Sequence, residues 1–274
     1  MNLDRQFERQ ERLFGSQGQD RISRSHILVC GVGGIGSHIC QLLTHLGVRR
    51  FTLIDNDVVD RSNLNRLIGS SEIHVGCAKV EVVKGHIQNI CPDAAVHLVR
   101  AQIGSAGKRL ERSRPSVVVG CVDNDSARLQ LIDYSSGMKV PYLDVATEIH
   151  PQEGIIGGQV LFSYGDGCHL CAGLIDQEEV MWTNATESER QFHRESYGIS
   201  EEYLKDSGPS VVYLNGLIAS LAVAELQMLL TGIDRPIPLT VLQRRSQFRC
   251  WTVSQPELSS NVDCYYCARY SAVA

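Results

Sequence analysis

The sequence predicts an α/β fold: a doubly wound, mostly parallel sheet extended by antiparallel strands. Three observations carry that expectation. Apolar runs that read as strands alternate with helical patterns through the first half of the chain. The first such run, "HILVC", leads into Gly31, Gly33 and Gly36 in the pattern G-x-G-x-x-G, with a helical pattern behind it, which makes the sheet Rossmann-like. After Pro141 the character changes to strands joined by Pro and Gly turns, as an antiparallel extension requires.

The elements follow in order. Residues 1–24 read as a polar helical arm with Leu13 and Phe14 as its main apolar side chains. "HILVC" is a strand, and a helix is expected from about Ile35 to Leu46. "RRFTLID" is the next strand and ends on Asp55, and a helix from Ala78 to Ile90 is stopped by Cys91-Pro92. "AVHLV" and "SVVVGC" read as buried strands, and "PYLDVATEI" and "GIIGGQVLFSY" as members of the extension. Residues 174–209 are polar and acidic with no cysteine, which suits a crossover segment. "SVVYLNGLIASLAVAELQMLLTG" is apolar nearly all round and reads as a buried helix capped by Gly232. Two last strands are expected near 237–242 and 247–253. With no internal repeat, residues 1–274 read as one continuous domain.

Composition narrows the function. With 274 residues, 43% hydrophobic and 21% charged, the chain has the make-up of a soluble folded protein. A formal net charge of −5 argues against nucleic acid as the partner. The charged opening "MNLDRQFERQERLFG" does not read as a leader. No stretch approaches the roughly 18 consecutive apolar residues of a membrane span. Ten cysteines then point to a reducing compartment, read as the cytoplasm.

The glycine turn brings backbone close to a phosphate, and the helix behind it offers free N–H groups to an anion. Asp55 is placed to accept hydrogen bonds from ribose hydroxyls. These features alone leave NAD, FAD and ATP open. The flanking residues favour ATP: Asn63 and Arg66 in "RSNLNRLIG", Lys79 in "GCAKVEVV", and Asp123, Asn124 and Arg128 in "CVDNDSARLQ". Arginine forks and a lysine point charge neutralise a triphosphate. Asp123, on the same carboxyl edge, offers the oxygen ligand magnesium prefers. Taken singly, Lys79 is an ordinary solvated residue, Arg66 an ion-pair partner and Asn63 a cap; their joint spacing is what points to a nucleotide.

Cys168–Cys171 and Cys264–Cys267 form two C-x-x-C pairs, a set of four thiolates that closes a tetrahedral, structural zinc site. The alternative, two redox pairs, lacks the strand-to-helix context such motifs need. His169 reads as a spacer between its cysteines. Cys30, Cys40, Cys77, Cys91 and Cys121 fall in or beside expected core elements and read as inert packing. Cys250 falls in a late strand. The remaining histidines, His38 among them, read as surface or satisfied core residues.

In order, "RQFERQERLFG", "GVGGIG", "IDNDVVDRSNLNR", "VGCAK", "VDND...R" and the two C-x-x-C pairs resemble the ThiF/MoeB/E1 superfamily of adenylating enzymes. The resemblance runs from residue 5 to residue 267. It implies Mg-ATP-dependent adenylation of the C-terminal carboxylate of a ubiquitin-like or sulfur-carrier protein with a Gly tail, releasing pyrophosphate. It assigns Asp55 to the ribose, Asn63, Arg66 and Lys79 to the triphosphate, Asp123 to magnesium, and Arg9 to the ATP of the partner subunit in a homodimer. Gly31, Gly33, Gly34, Gly36, Asp57 and Asn124 complete the expected nucleotide-binding set, and Arg9, Arg66, Lys79 and Asp123 are the expected catalytic residues. Where the family usually has Gln after "NLNR", this chain has Leu67. A crossover without cysteine implies no thioester of its own, so the adenylate would pass to an E2-like or sulfurtransferase partner. The other readings are adenylation of a peptide or small carboxylate, an NAD-dependent oxidoreductase, and an inactive scaffold.

Overall fold

The computed structural model describes residues 6–110, 113–186, 188–190, 208–247, 249–261 and 263–271. Strand β1 (His26–Cys30) serves two cores at once, because successive side chains leave a strand on opposite faces. Ile27 and Val29 enter one core, Leu28 and Cys30 the other. β1 pairs in parallel with β2 (Arg50–Ile54) and β4 (Val117–Gly120). β2 pairs in parallel with β3 (Ala95–Val99), and β4 with β5 (Tyr142–His150). From β5 the sheet turns antiparallel through β6 (Ile155–Ser163), β7 (Leu239–Arg245) and β8 (Cys250–Ser254). The order in the eight-stranded sheet is β3-β2-β1-β4-β5-β6-β7-β8, as the parallel-then-antiparallel reading expects.

Helices cover both faces, so the central parallel strands need apolar residues on both. One core takes Phe14 and Ile22 of α1 (Glu8–Arg24), Ile39 and Leu43 of α2 (Gly34–Leu46), and Val83 and Ile87 of α3 (Lys79–Ile90). It also takes Leu214, Ile218 and Leu226 of α7 (Val212–Thr231). The other core takes Ile103, Ala106 and Leu110 of α4 (Ile103–Leu110) and Leu131 and Ile132 of α5 (Asp125–Met138). α6 (Gln177–Asn184) and α8 (Tyr265–Ser271) pack on α5.

Several expectations need correction. β3 was expected to be buried, but it ends the sheet and only Val99 is buried; its other side chains are exposed or half-buried. In α1, Phe14 is buried while Leu13 is 69% exposed, and Gly15 at φ 72° breaks the helix between two halves. α7 is not buried all round, because Val212, Tyr213 and Leu217 face out. By length and composition alone α7 could cross a membrane. It carries buried Asn215 and Glu225 and packs against α1, α2, β5 and β6, as a core helix does. Gly232 at φ 69° closes it, donating its N–H to Met228 O at 2.9 Å. Of the crossover expected at 174–209, residues 187 and 191–207 lie outside the described residues; the described part contains α6.

Candidate nucleotide site and cysteine cluster

The glycine turn joins β1 to α2 at the point where the sheet order reverses, since β1 is flanked by β2 on one side and β4 on the other. In open α/β sheets this reversal leaves a crevice outside the strand ends, where ligands bind. Gly31 sits at φ 82°, and a Cβ there would lie 2.4 Å from Cys121 O. A Cβ on Gly36 would lie 2.0 Å from Gly31 O, so no larger residue lets α2 start this close to the turn. Gly33 differs: a Cβ there meets nothing within 4 Å among the described residues. The chain's own packing does not demand glycine at 33, and a phosphate approaching the backbone would. Among the described residues no side chain caps the start of α2, so its first N–H groups are available to an anion.

Asp55 is held at the end of β2. Its Oδ2 accepts the Val32 N–H and its Oδ1 the Asp57 N–H, both at 2.9 Å. Burial pushes its carboxyl above the ordinary value, against the two amides and Lys79, which pull it down. A carboxylate has about four lone-pair sites, so acceptor capacity remains for ribose hydroxyls. Lys79 opens α3, and its Nζ lies 2.7 Å from Asp57 Oδ2. Arg66 is brought to the turn, its Cδ 3.5 Å from the Cβ position of Gly34, while its guanidinium donates to Ser62 O at 2.7 Å and Asn65 Oδ1 at 3.0 Å. Asp60 caps the 3-10 turn Arg61–Asn63, and Asn63 closes the capping box, its Oδ1 accepting the Asp60 N–H at 3.2 Å. Leu67 is buried in the core and so is a packing residue. Asp123 is exposed beyond β4; Asn124 Nδ2 donates to its Oδ1 at 3.3 Å, while Asn124 Oδ1 accepts the Ala127 N–H at 2.8 Å and caps α5.

Arg9 is exposed in the first turn of α1 and stands apart from this group. Its neighbour Gln10 donates to Leu46 O at 2.7 Å, at the far end of α2 from the glycine turn. Thirteen helical residues separate the two ends, about 20 Å at roughly 1.5 Å per residue.

Arg128, read from the sequence as a candidate for the triphosphate, is engaged within the chain. Its guanidinium donates to Asp125 Oδ1 at 2.6 Å and Val122 O at 3.1 Å, and lies 3.4 Å from Asp144 Oδ1. Asp144 is fully buried and accepts the Tyr142 hydroxyl at 2.8 Å, with His169 Nε2 3.1 Å from its other oxygen. Burial alone would raise the Asp144 carboxyl; His169 and Arg128 hold it below the ordinary value instead. His169 is outside the cluster of four sulfurs, as a spacer should be, and its buried ring also faces Asp144. His38 also departs from expectation: its Nε2 is buried without a hydrogen-bond partner among the described residues, and burial lowers its pKa. Asn215, buried in α7, went unread in the sequence, yet its Nδ2 lies 2.3 Å from the Cβ position of Gly34. Its signal was an amide in the first turn of a mostly apolar helix.

The four expected cysteines meet. Cys168, Cys171, Cys264 and Cys267 place their sulfurs within 4.8 Å of one another. The closer separations are 3.6 Å for Cys168–Cys264 and 3.8 Å for Cys168–Cys171 and Cys171–Cys267. A tetrahedron with Zn–S of about 2.3 Å has an edge of about 3.8 Å, so the donor set fits zinc. Burial pushes Cys168 up to about 11, whereas Cys171 is brought down to about 7 against its own burial by N–H groups such as that of Asn261. Elsewhere, burial pushes Cys30 and Cys40 up to about 12, as inert packing requires. Cys77 was expected to pack but is exposed, as is Cys250.

The profile of the ThiF family matches residues 7–265. The chain belongs to the ThiF family. Among curated relatives, it is 33% identical over 170 residues to the molybdopterin-synthase adenylyltransferase of Escherichia coli K12, covering 61% of this chain and 66% of that one. It is 34% identical over 158 residues to the SAMP-activating enzyme E1 of Haloferax volcanii, covering 57% and 56%. The matches thus span between half and two thirds of these relatives' length. Among solved structures, E. coli MccB with ATP superposes with a TM-score of 0.72 at 18% identity, covering 97% of this chain and 75% of that one. That likeness is one of fold.

Proposed function

We propose that this ThiF-family chain adenylates the C-terminal carboxylate of a ubiquitin-like or sulfur-carrier protein at the expense of ATP. The observation that carries the reading is the open face of Gly33 at an uncapped helix start, on the edge that also carries Asp55, Lys79 and Asp123. A redox dinucleotide would use the glycines and Asp55 but has no need of Lys79 and Arg66 beside them. The names of the two curated relatives agree with adenylation.

In this reading the turn amides and the start of α2 hold the phosphates, and Asp55 orients the ribose. Lys79 and Arg66 exchange their partners within the chain for phosphate oxygens, with Asn63 alongside. Asp123 would hold magnesium, with Asn124 beside it; the ion supplies charge neutralisation at the reacting phosphate. A carboxylate oxygen of the acyl substrate attacks the α-phosphorus, the bond to the bridging oxygen breaks, and pyrophosphate leaves. Positioning and charge complementarity supply most of such catalysis. Arg9 cannot span about 20 Å to its own turn, so its guanidinium would serve the second subunit of a homodimer. With no cysteine in the 174–209 stretch, the adenylate would be passed on without an enzyme thioester, to a nucleophile on an E2-like or sulfurtransferase partner. Zinc would be held by the four cysteines as a structural ion, and a cytoplasmic location suits the free thiols.

The test is direct. With ATP, magnesium and a small Gly-ending β-grasp protein, the chain should release pyrophosphate, and mass spectrometry should find the substrate heavier by one adenylyl group. NAD binding with no pyrophosphate would replace this reading with the oxidoreductase one.

A further inference from the structure

Among the described residues little fixes the Asp123 side chain: it is exposed, and the hydrogen bond it makes there is to the Asn124 amide at 3.3 Å. The corner that presents it, residues 122–126, is instead gripped from behind. Arg128 holds Val122 O at 3.1 Å and Asp125 Oδ1 at 2.6 Å. The other contacts come from a distant stretch of chain. Asp125 Oδ2 accepts the Asp176 N–H at 2.7 Å, and the Asp125 N–H donates to Glu179 Oε1 at 2.9 Å. One turn further along, Ser126 donates to Asn184 Oδ1 at 2.9 Å. α6 is thereby tied to the first turn of α5 at both of its ends.

The charges make this contact specific. Asp125, Asp176 and Glu179 gather at one corner, and Arg128 is the guanidinium that reaches Asp125. Three carboxylates repel one another, so their proximity needs compensation from fixed donors. Two backbone amides and Arg128 supply it for Asp125 and Glu179, and Glu179 also gains from the positive end of the α5 dipole. Arg128 also lies 3.4 Å from the buried Asp144 carboxylate, so the corner is anchored to the interior of the sheet.

We infer that Glu179 is a positioning residue for the adenylation site: by holding the Asp125 amide it fixes the corner that presents Asp123 to the nucleotide. The inference rests on the adenylation reading only for its kinetic consequence. Removing the carboxylate leaves Asp123 in place chemically but on a corner that has lost one of its ties, and a misplacement of about 1 Å can cost up to about a hundredfold in rate.

The test compares Glu179→Ala with Glu179→Gln, whose side-chain carbonyl still accepts the Asp125 N–H. Glu179→Ala should lower turnover at least about tenfold with the KM for ATP within about twofold, and Glu179→Gln should restore most of the turnover. Independently of activity, hydrogen exchange of the amides from 122 to 127 should speed up in Glu179→Ala and stay protected in Glu179→Gln. Should Glu179→Ala fail to fold, Glu179→Asp, one methylene too short, should show the same loss. Wild-type protection at the corner in Glu179→Ala would overturn the inference, as would unchanged turnover or a Glu179→Gln variant equally impaired. A wild-type chain that releases no pyrophosphate overturns the adenylation reading instead, and the exchange data then decide whether Glu179 holds the corner.

Discussion

Asp55 accepts the Val32 backbone N–H at 2.9 Å, so the carboxylate that ends β2 is fastened to the glycine turn that ends β1. The same side chain thus shapes the turn and, in the proposed reading, would receive the ribose. Asp55→Ala removes two charge-assisted hydrogen bonds and leaves the Val32 and Asp57 amides without this acceptor. The bond that Asp55 would accept from a ribose hydroxyl is worth about 1.5–3 kcal/mol, so affinity for a non-hydrolysable ATP analogue should fall about tenfold to a hundredfold by calorimetry. Unchanged affinity would remove Asp55 from the site.

The cysteine cluster predicts about one zinc per chain in the purified protein. Because a structural metal contributes folding free energy, Cys171→Ser or Cys264→Ser should lower the Tm and the zinc content together. Stable, zinc-free wild-type protein would show that the four sulfurs only pack.

No enzyme thioester is expected. Cys30 and Cys40 are held near 12 by burial, far from the thiolate state a nucleophile needs. The exposed thiols of Cys77 and Cys250 are the ones to watch, Cys77 above all, two residues before Lys79. Non-reducing gels after reaction with the acyl substrate should show no thiol-labile adduct. An adduct that vanishes in Cys77→Ser would place the nucleophile there.

Arg9 is predicted to act across the dimer. Arg9→Ala and Asp123→Asn should each abolish adenylation while sparing ATP binding. Random pairing makes about half the dimers mixed, each with one intact site, so a mixture should regain up to about a quarter of wild-type activity. Mixtures that stay inactive despite proven subunit exchange would show that Arg9 does not serve the neighbouring site.

Much of the fold was legible because its signals are local. "HILVC" became β1 without a residue of change, and the helix expected at 78–90 runs Lys79–Ile90. The glycine turn and the paired cysteines were equally readable, since their chemistry fits within a few residues. What escaped depends on contacts between distant segments. β3 looked like any apolar strand, and only the sheet order makes it an edge. Arg128 stands at a spacing that suits a phosphate ligand, and only the return of β5 with Asp144 reveals where its charge is spent. Glu179 sits in a polar stretch with no periodicity to single it out, and its importance arises from meeting Asp125 across 54 positions.

The account stands or falls on carboxylate-dependent exchange of labelled pyrophosphate into ATP. Wild-type protein should catalyse it only with magnesium and an acyl substrate, and Lys79→Ala and Asp123→Asn should each lower the rate at least about a hundredfold, as loss of one preorganised charge contact does. Full exchange by the Asp123→Asn variant, or none by the wild type across a panel of Gly-ending carrier proteins and peptides, would contradict it.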